Sequence, residues 1–227
     1  MENRGSKKIE IDVDTILNDK KGKNLDKVIE KIITDKMILI EVLEGLESKN
    51  ETFRSNCFKV VLQISTSQPL LLYPEWNYFL DLLNSSNSYR RMAAISILSN
   101  LTRVDTEKRF DHVFEEYFRH LDDQSMIVAR YLAGSAGKIA IAKPYLQATI
   151  IGKLLNIDNT HHEEGRKDLI KYDIIHSFSE FFENIPEKKR IFSFVEKQID
   201  CSSPKTRKIA QGFLKRFGKL RKMTIVS

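Results

Sequence analysis

"TFRSNCFKVVLQI", residues 52–64, sets the pattern that governs the whole chain. Phe53, Cys57, Val60, Val61 and Ile64 recur at helical spacing and make one apolar face. Just upstream, Leu39, Val42, Leu43 and Leu46 fall at i, i+3, i+4 and i+7. Two amphipathic helices joined by a short polar turn form an αα-hairpin.

The unit recurs. Second helices open again at "SYRRMAAISILSNL" (88–101), "IVARYLAGSAGKIA" (127–140), "LIKYDIIHSFSEFF" (169–182) and "KTRKIAQGFLKRF" (205–217). Aligning Phe53, Tyr89, Val128, Ile170 and Thr206 gives offsets of 36, 39, 42 and 36 residues. Four positions on stand Cys57, Ala93, Leu132, Ile174 and Ala210, and eight on stand Val61, Ile97, Ala136, Phe178 and Leu214. Small or apolar columns at such a period signal a stacked helical repeat. The spacing predicts helices over 24–33, 36–48, 51–66, 74–84, 88–103, 107–121, 124–141, 144–156, 164–184, 187–199 and 204–221. Pro69 and Pro74 fall between hairpins, while Pro144, Pro186 and Pro204 open apolar-periodic runs, with Ser203 as the N-cap before Pro204. "IEIDVD" near the N-terminus alternates like a strand but has no second strand to pair with. Residues 1–23 read as a partly disordered extension and 24–227 as a single repeat domain.

The paired helices, their period and the "YRRMAA" pattern at 89–94 resemble HEAT repeats, of the armadillo-like helical solenoid class. About five hairpins over residues 36–221 carry the resemblance. It implies an all-α fold, a right-handed α-α superhelix with second helices lining the concave side. The family's arginine after the opening hydrophobe is matched by Arg54, Arg90 and Arg207, with Lys171 a near match. The third repeat has Ala129 there and Arg130 one place later, and the fourth carries an insertion around "NIDNTHHEEGRKD". Such arrays serve many processes as scaffolds, so the resemblance speaks to fold more than to function.

Composition narrows the class. Of 227 residues, 41% are apolar and 30% charged, enough for a core and against global disorder. No run of 18 apolar residues suggests a membrane span, and the N-terminus lacks an apolar signal core, so a cytoplasmic protein is expected. Cys57 and Cys201 read as reduced thiols.

No motif for chemistry survives inspection. "AGSAGKIA" (133–140) has two residues between Gly134 and Gly137 and Ile139 after Lys138, so it is no phosphate loop. Its small residues suit close helix approach. His161 and His162 sit adjacent on a loop, where they are not expected to converge on one metal, and Thr160 or Asn159 would cap the next helix. Glu180 and Glu183 read as surface acids, and Trp76 as a packing anchor. HEAT-like arrays include DNA glycosylases, but no residue here matches their catalytic set. Neither enzyme activity, a cofactor nor a metal is therefore expected.

Charge is the remaining signal. The net charge is +6, yet residues 201–227 hold eight basic and no acidic residues, while 1–200 hold 29 basic against 31 acidic. On the last helix Lys205, Lys208, Lys215, Lys219 and Lys222 fall within roughly 100° of arc, with Arg207 and Arg216 beside them. Ile209, Ala210, Phe213, Leu214, Phe217 and Leu220 take the other side. A terminal polar cap explains some of these lysines, but not the absence of interspersed glutamate. Arg91, Arg130, Lys138 and Lys171 would extend the stripe into a basic track along the second helices. Two functions remain: a scaffold binding a protein partner on its curved surface, or a nucleic-acid-binding module contacting phosphates through this track.

Overall fold

The computed structural model describes residues 12–185 and 188–223, so Pro186 lies outside the described residues. The described residues are all-α, with twelve α-helices and no strand. They divide after Gln68 into two compact units.

The first unit contains α1 (Val13–Leu17), α2 (Leu25–Thr34), α3 (Lys36–Glu44) and α4 (Glu51–Ser67). Its core gathers Val28, Ile29 and Ile32 of α2, Leu39, Val42 and Leu43 of α3, and Cys57, Val60, Val61 and Ile64 of α4. The expected boundary at residues 23/24 falls inside this unit, not at an edge. Leu17 of α1 is buried, and the Asn56 amide of α4 donates to the carbonyls of Leu17 (3.0 Å) and Asp19 (2.8 Å). That tie was illegible because α1 is only five residues long and carries no full apolar period. Gly22 makes the return turn at φ +59°, where any side chain would be strained.

The second unit contains α5 (Trp76–Leu83), α6 (Ser88–Leu101), α7 (Arg109–Phe118), α8 (Met126–Ala142), α9 (Gln147–Leu155), α10 (Glu164–Phe181), α11 (Lys188–Glu196) and α12 (Pro204–Met223). Within it α6 packs on α8, α8 on α10, and α10 on α12. The other helices lie beside this row. Trp76 is fully buried and meets Tyr73 edge-on at 5.8 Å, a packing anchor as expected. Pro144 opens a 3-10 turn leading into α9, and Pro204 opens α12 directly after Ser203, whose hydroxyl accepts the Thr206 N–H at 3.3 Å. Cys57 and Cys201 are free thiols.

The caps correct the repeat register. The second helices start after Asn50, Asn87, Ser125, Glu163 and Ser203, spaced 37, 38, 38 and 40 residues apart. Four residues past three of these caps, an arginine turns back to a loop carbonyl: Arg54 to Ser48 (2.8 Å), Arg91 to Ser85 (2.8 Å) and Arg207 to Cys201 (2.7 Å). Lys167 occupies the same place in the fourth hairpin and donates to the Asp158 carbonyl at 2.9 Å. The equivalent residues are therefore Arg91 and Lys167, not Arg90 and Lys171. Tyr89 stands one place out of register and Ile170 four. Apolar spacing fixes which face is buried, but i+3, i+4 and i+7 are interchangeable in it, so it leaves register open. The expected insertion near residue 160 disappears in the corrected register: the α10 cap, Glu163, stands 38 residues after the α8 cap, Ser125.

Candidate functional site

The basic helix α12 buries Thr206, Ala210, Phe213 and Phe217. The Phe213 and Phe217 rings meet Phe182 at 4.8 and 4.9 Å. This seats one face firmly, and Ile209 and Leu214 are half-buried at its margins. Lys205, Lys208, Lys215, Arg216 and Lys219 are exposed. Lys205 lies over the Tyr172 ring at 4.2 Å, and Arg216 reaches Glu183 at 3.4 Å. Lys208, Lys215 and Lys219 make no ion pair among the described residues. Lys222 is helical, and its side chain lies outside the described residues. Arg207 points back to the Cys201 and Ser202 carbonyls and belongs to the loop rather than to the stripe.

The four residues expected to extend the stripe are committed to acceptors of the chain itself. Arg91 grips Asp123 with two hydrogen bonds of 2.8 Å. Arg130 pairs with Asp173 at 2.6 and 3.3 Å. Lys171 is buried and pairs with Asp158 at 2.7 Å and, more loosely, with Asp168 at 3.8 Å. Lys138 donates to the Asn100 side chain at 3.0 Å, and burial lowers its ammonium pKa below the usual lysine range. The Arg91, Lys138 and Arg130 bonds join successive second helices or the turn before one, and Lys171 ties α10 to the turn before it, although Lys138 itself remains exposed. A lone sequence cannot reveal most of them, because the partners of Arg91, Lys138 and Arg130 lie 32, 38 and 43 residues away.

The small residues of α8 divide by role. A side chain at Gly137 would stand 2.9 Å from the Ser177 carbonyl, and the Gly137 N–H donates to the Ser177 hydroxyl at 3.2 Å. This is the close approach expected of the stretch. A side chain at Gly134 would instead meet nothing nearer than the Asp173 Cβ, at an ordinary contact distance of 4.0 Å. Glu180, against Gly137, is partly covered, and burial raises its carboxyl pKa. Glu183 is an exposed acid.

Sequence reading missed two polar clusters. In one, Lys143 is almost fully buried between Asp105 (2.9 Å) and Asp111 (3.2 Å), and Asp105 also accepts from the Tyr73 hydroxyl at 2.8 Å. Burial alone would lower the Lys143 pKa, but its hydrogen bonds to Asp105, Tyr145 and Asp111 outweigh that and raise it. Asp105 further accepts the Arg109 and Phe110 N–H groups at 2.8 and 3.0 Å, supplying the first turn of α7 that Lys108 leaves uncapped.

The other cluster corrects the reading of the adjacent histidines. His161, His162 and Asp122 each place one donor atom within 4.8 Å of the other two. The backbone bends at both histidines, and their ring centroids stand 4.4 Å apart, tilted by 37°. Thr160 and Asn159 do not cap α10, for Glu163 holds the cap position and the Thr160 hydroxyl donates to the Ile157 carbonyl. Burial lowers the His162 imidazole pKa below its usual range.

Among the described residues no helix is long and apolar enough to cross a membrane. No protein-family model, no curated protein and no solved structure matches the chain.

Proposed function

We propose that the chain is a HEAT-like helical-repeat scaffold of the cytoplasm, without catalytic activity, that binds a protein partner on the outer face of its second helices. One observation carries this reading. Ile127, Tyr131 and Ile141 of α8 remain 55%, 42% and 55% exposed. At helical spacing they fall within about 80° of arc, together with Gly134 and Lys138. Isolated exposed apolar residues are ordinary, whereas three large ones aligned on one helix make a patch of the kind that marks an interface. Aromatic and aliphatic anchors of this type dominate binding energy in such surfaces.

Its test uses a photo-crosslinking residue at Tyr131 and, in parallel, the Ile127→Ser/Ile141→Ser variant. A partner captured at moderate salt, rebuilt from purified components and lost in the variant supports the reading. Capture that the variant retains refutes this face as the site.

A second reading rests on a different observation, the unpaired Lys208, Lys215 and Lys219 of α12. A row of unneutralised ammonium groups suits a polyanion, and nucleic acid is the extended form of one. Fluorescence anisotropy with duplex DNA and single-stranded RNA across a salt series tests it. Binding should fall with a log–log slope near −0.9 per duplex phosphate contact, so roughly −3 for these three lysines. No binding, or binding unchanged when all three become Gln, returns the stripe to a solvated surface.

A further inference from the structure

We propose that Asp122, His161 and His162 form a binding site for a borderline divalent metal ion, Zn²⁺ in the first instance. The donor set is two imidazoles and one carboxylate, the mixture that suits zinc and its neighbours rather than magnesium or calcium. The three donor atoms already lie within 4.8 Å of one another. Zinc holds nitrogen and oxygen ligands at about 2.0–2.1 Å, which places tetrahedral ligand atoms roughly 3.3 Å apart. At present His161 Nδ1 stands 2.5 Å from Asp122 Oδ1, so a metal would part this pair by under about 1 Å. Both side chains are about half exposed, and opening them disturbs no core packing.

The surrounding bonds already orient these ligands. Buried His162 places Nε2 3.2 Å from the Leu121 carbonyl. An N–H donated there fixes the tautomer and leaves Nδ1 with its lone pair bare. An imidazole that donates its other nitrogen to a backbone carbonyl is the usual support of a metal-bound histidine. Asp122 is oriented in the same way, accepting the His161 backbone N–H at 2.8 Å. The residues come from two elements, the 3-10 turn after α7 and the loop before α10, so the ion would staple two neighbouring hairpins. Three protein ligands leave a coordination position for water.

The test titrates Zn²⁺ into the untagged, chelator-treated full chain by calorimetry, and records the visible spectrum with Co²⁺. The expected result is one ion per chain and ligand-field bands of a low-coordinate cobalt site. His161→Ala and Asp122→Asn, both at exposed positions, should each weaken binding at least tenfold while melting within a few degrees of the parent. His112→Ala, at an exposed histidine elsewhere, should leave it unchanged. Absence of stoichiometric binding by the parent overturns the proposal, and so does equal binding by the Asp122 and His161 variants.

Discussion

Arg91 and Asp123 face each other across two hydrogen bonds of 2.8 Å, with side chains only 13% and 5% exposed. The pair links the start of α6 to the turn that precedes α8. His120 Nδ1 stands 2.8 Å from the same carboxylate, and the Ser125 N–H donates to it at 2.8 Å. One acid thus satisfies an arginine, a histidine and the opening of a helix. Removing it leaves a buried guanidinium uncompensated. Asp123→Ala should cost about 3–5 kcal/mol, read from the urea midpoint of unfolding. A loss under about 1 kcal/mol would show the pair to behave as a surface bridge does.

The same carboxylate gives a pH dependence. Burial by itself raises the Asp123 pKa, but the bonds from Arg91, Ser125 and His120 outweigh it, and the net value lies below the usual range. Asp105 behaves likewise, with Lys143 its main counterweight to burial. For a lowered acid the stabilisation is present above the unfolded value, about 3.9, and is lost as pH falls through the folded one. Stability should therefore be level in these two groups from pH 7 to about 5 and decline below it, more steeply in the parent than in Asp123→Ala. Thermal melts across that range check it, and identical acid profiles would refute it.

Lys143 is the buried cation whose loss should be felt most. Lys143→Met removes the charge and strands Asp105, for about 3 kcal/mol or more. Adding Asp105→Leu removes the stranded acid, but it also deprives Arg109 and Phe110 of their acceptor and uncaps α7. Recovery should thus be partial. A double-mutant cycle measures it, and strictly additive losses would show the two residues to be uncoupled.

Gly137 and Gly134 offer a matched pair three residues apart on α8. Gly137→Ala drives a methyl to within 2.9 Å of the Ser177 carbonyl, which is backbone and yields little. A loss of about 1–3 kcal/mol is expected. Gly134→Ala meets nothing nearer than the Asp173 Cβ at 4.0 Å, and should raise stability by up to about 1 kcal/mol through helix propensity. Equal effects from the two would refute the close contact of α8 with α10 at Gly137.

Changing Lys208, Lys215 and Lys219 to Gln should leave stability within about 0.5 kcal/mol of the parent, since none holds a structural partner. Relief of the like-charge contact between Lys215 and Lys219, one turn apart, could only add to it. A larger loss in urea unfolding would mean that these lysines support the fold.

Much of the architecture was legible because it rests on local rules. Apolar spacing placed eleven helices to within a few residues, and Ser203 before Pro204 announced the start of α12. Exposure of Lys205, Lys208, Lys215 and Lys219 followed equally from the sequence, as the angle of each residue about a helix is fixed by its number. Register was less legible, because apolar columns slide by a turn without penalty, and only the caps after Asn50, Asn87 and Glu163 pin it.

The chain by itself therefore determined that it is all-α, where its helices run and which faces they bury. Helical hydrogen bonding acts over four residues, and a single sequence displays that range completely. Tertiary structure alone decided which charges remain available. It paired Arg91 with Asp123 and Arg130 with Asp173, seated Lys143 between two aspartates, and folded a loop so that His161 and His162 meet Asp122. Each of those partners lies about one repeat away, so their meeting depends on how one hairpin stacks on the next.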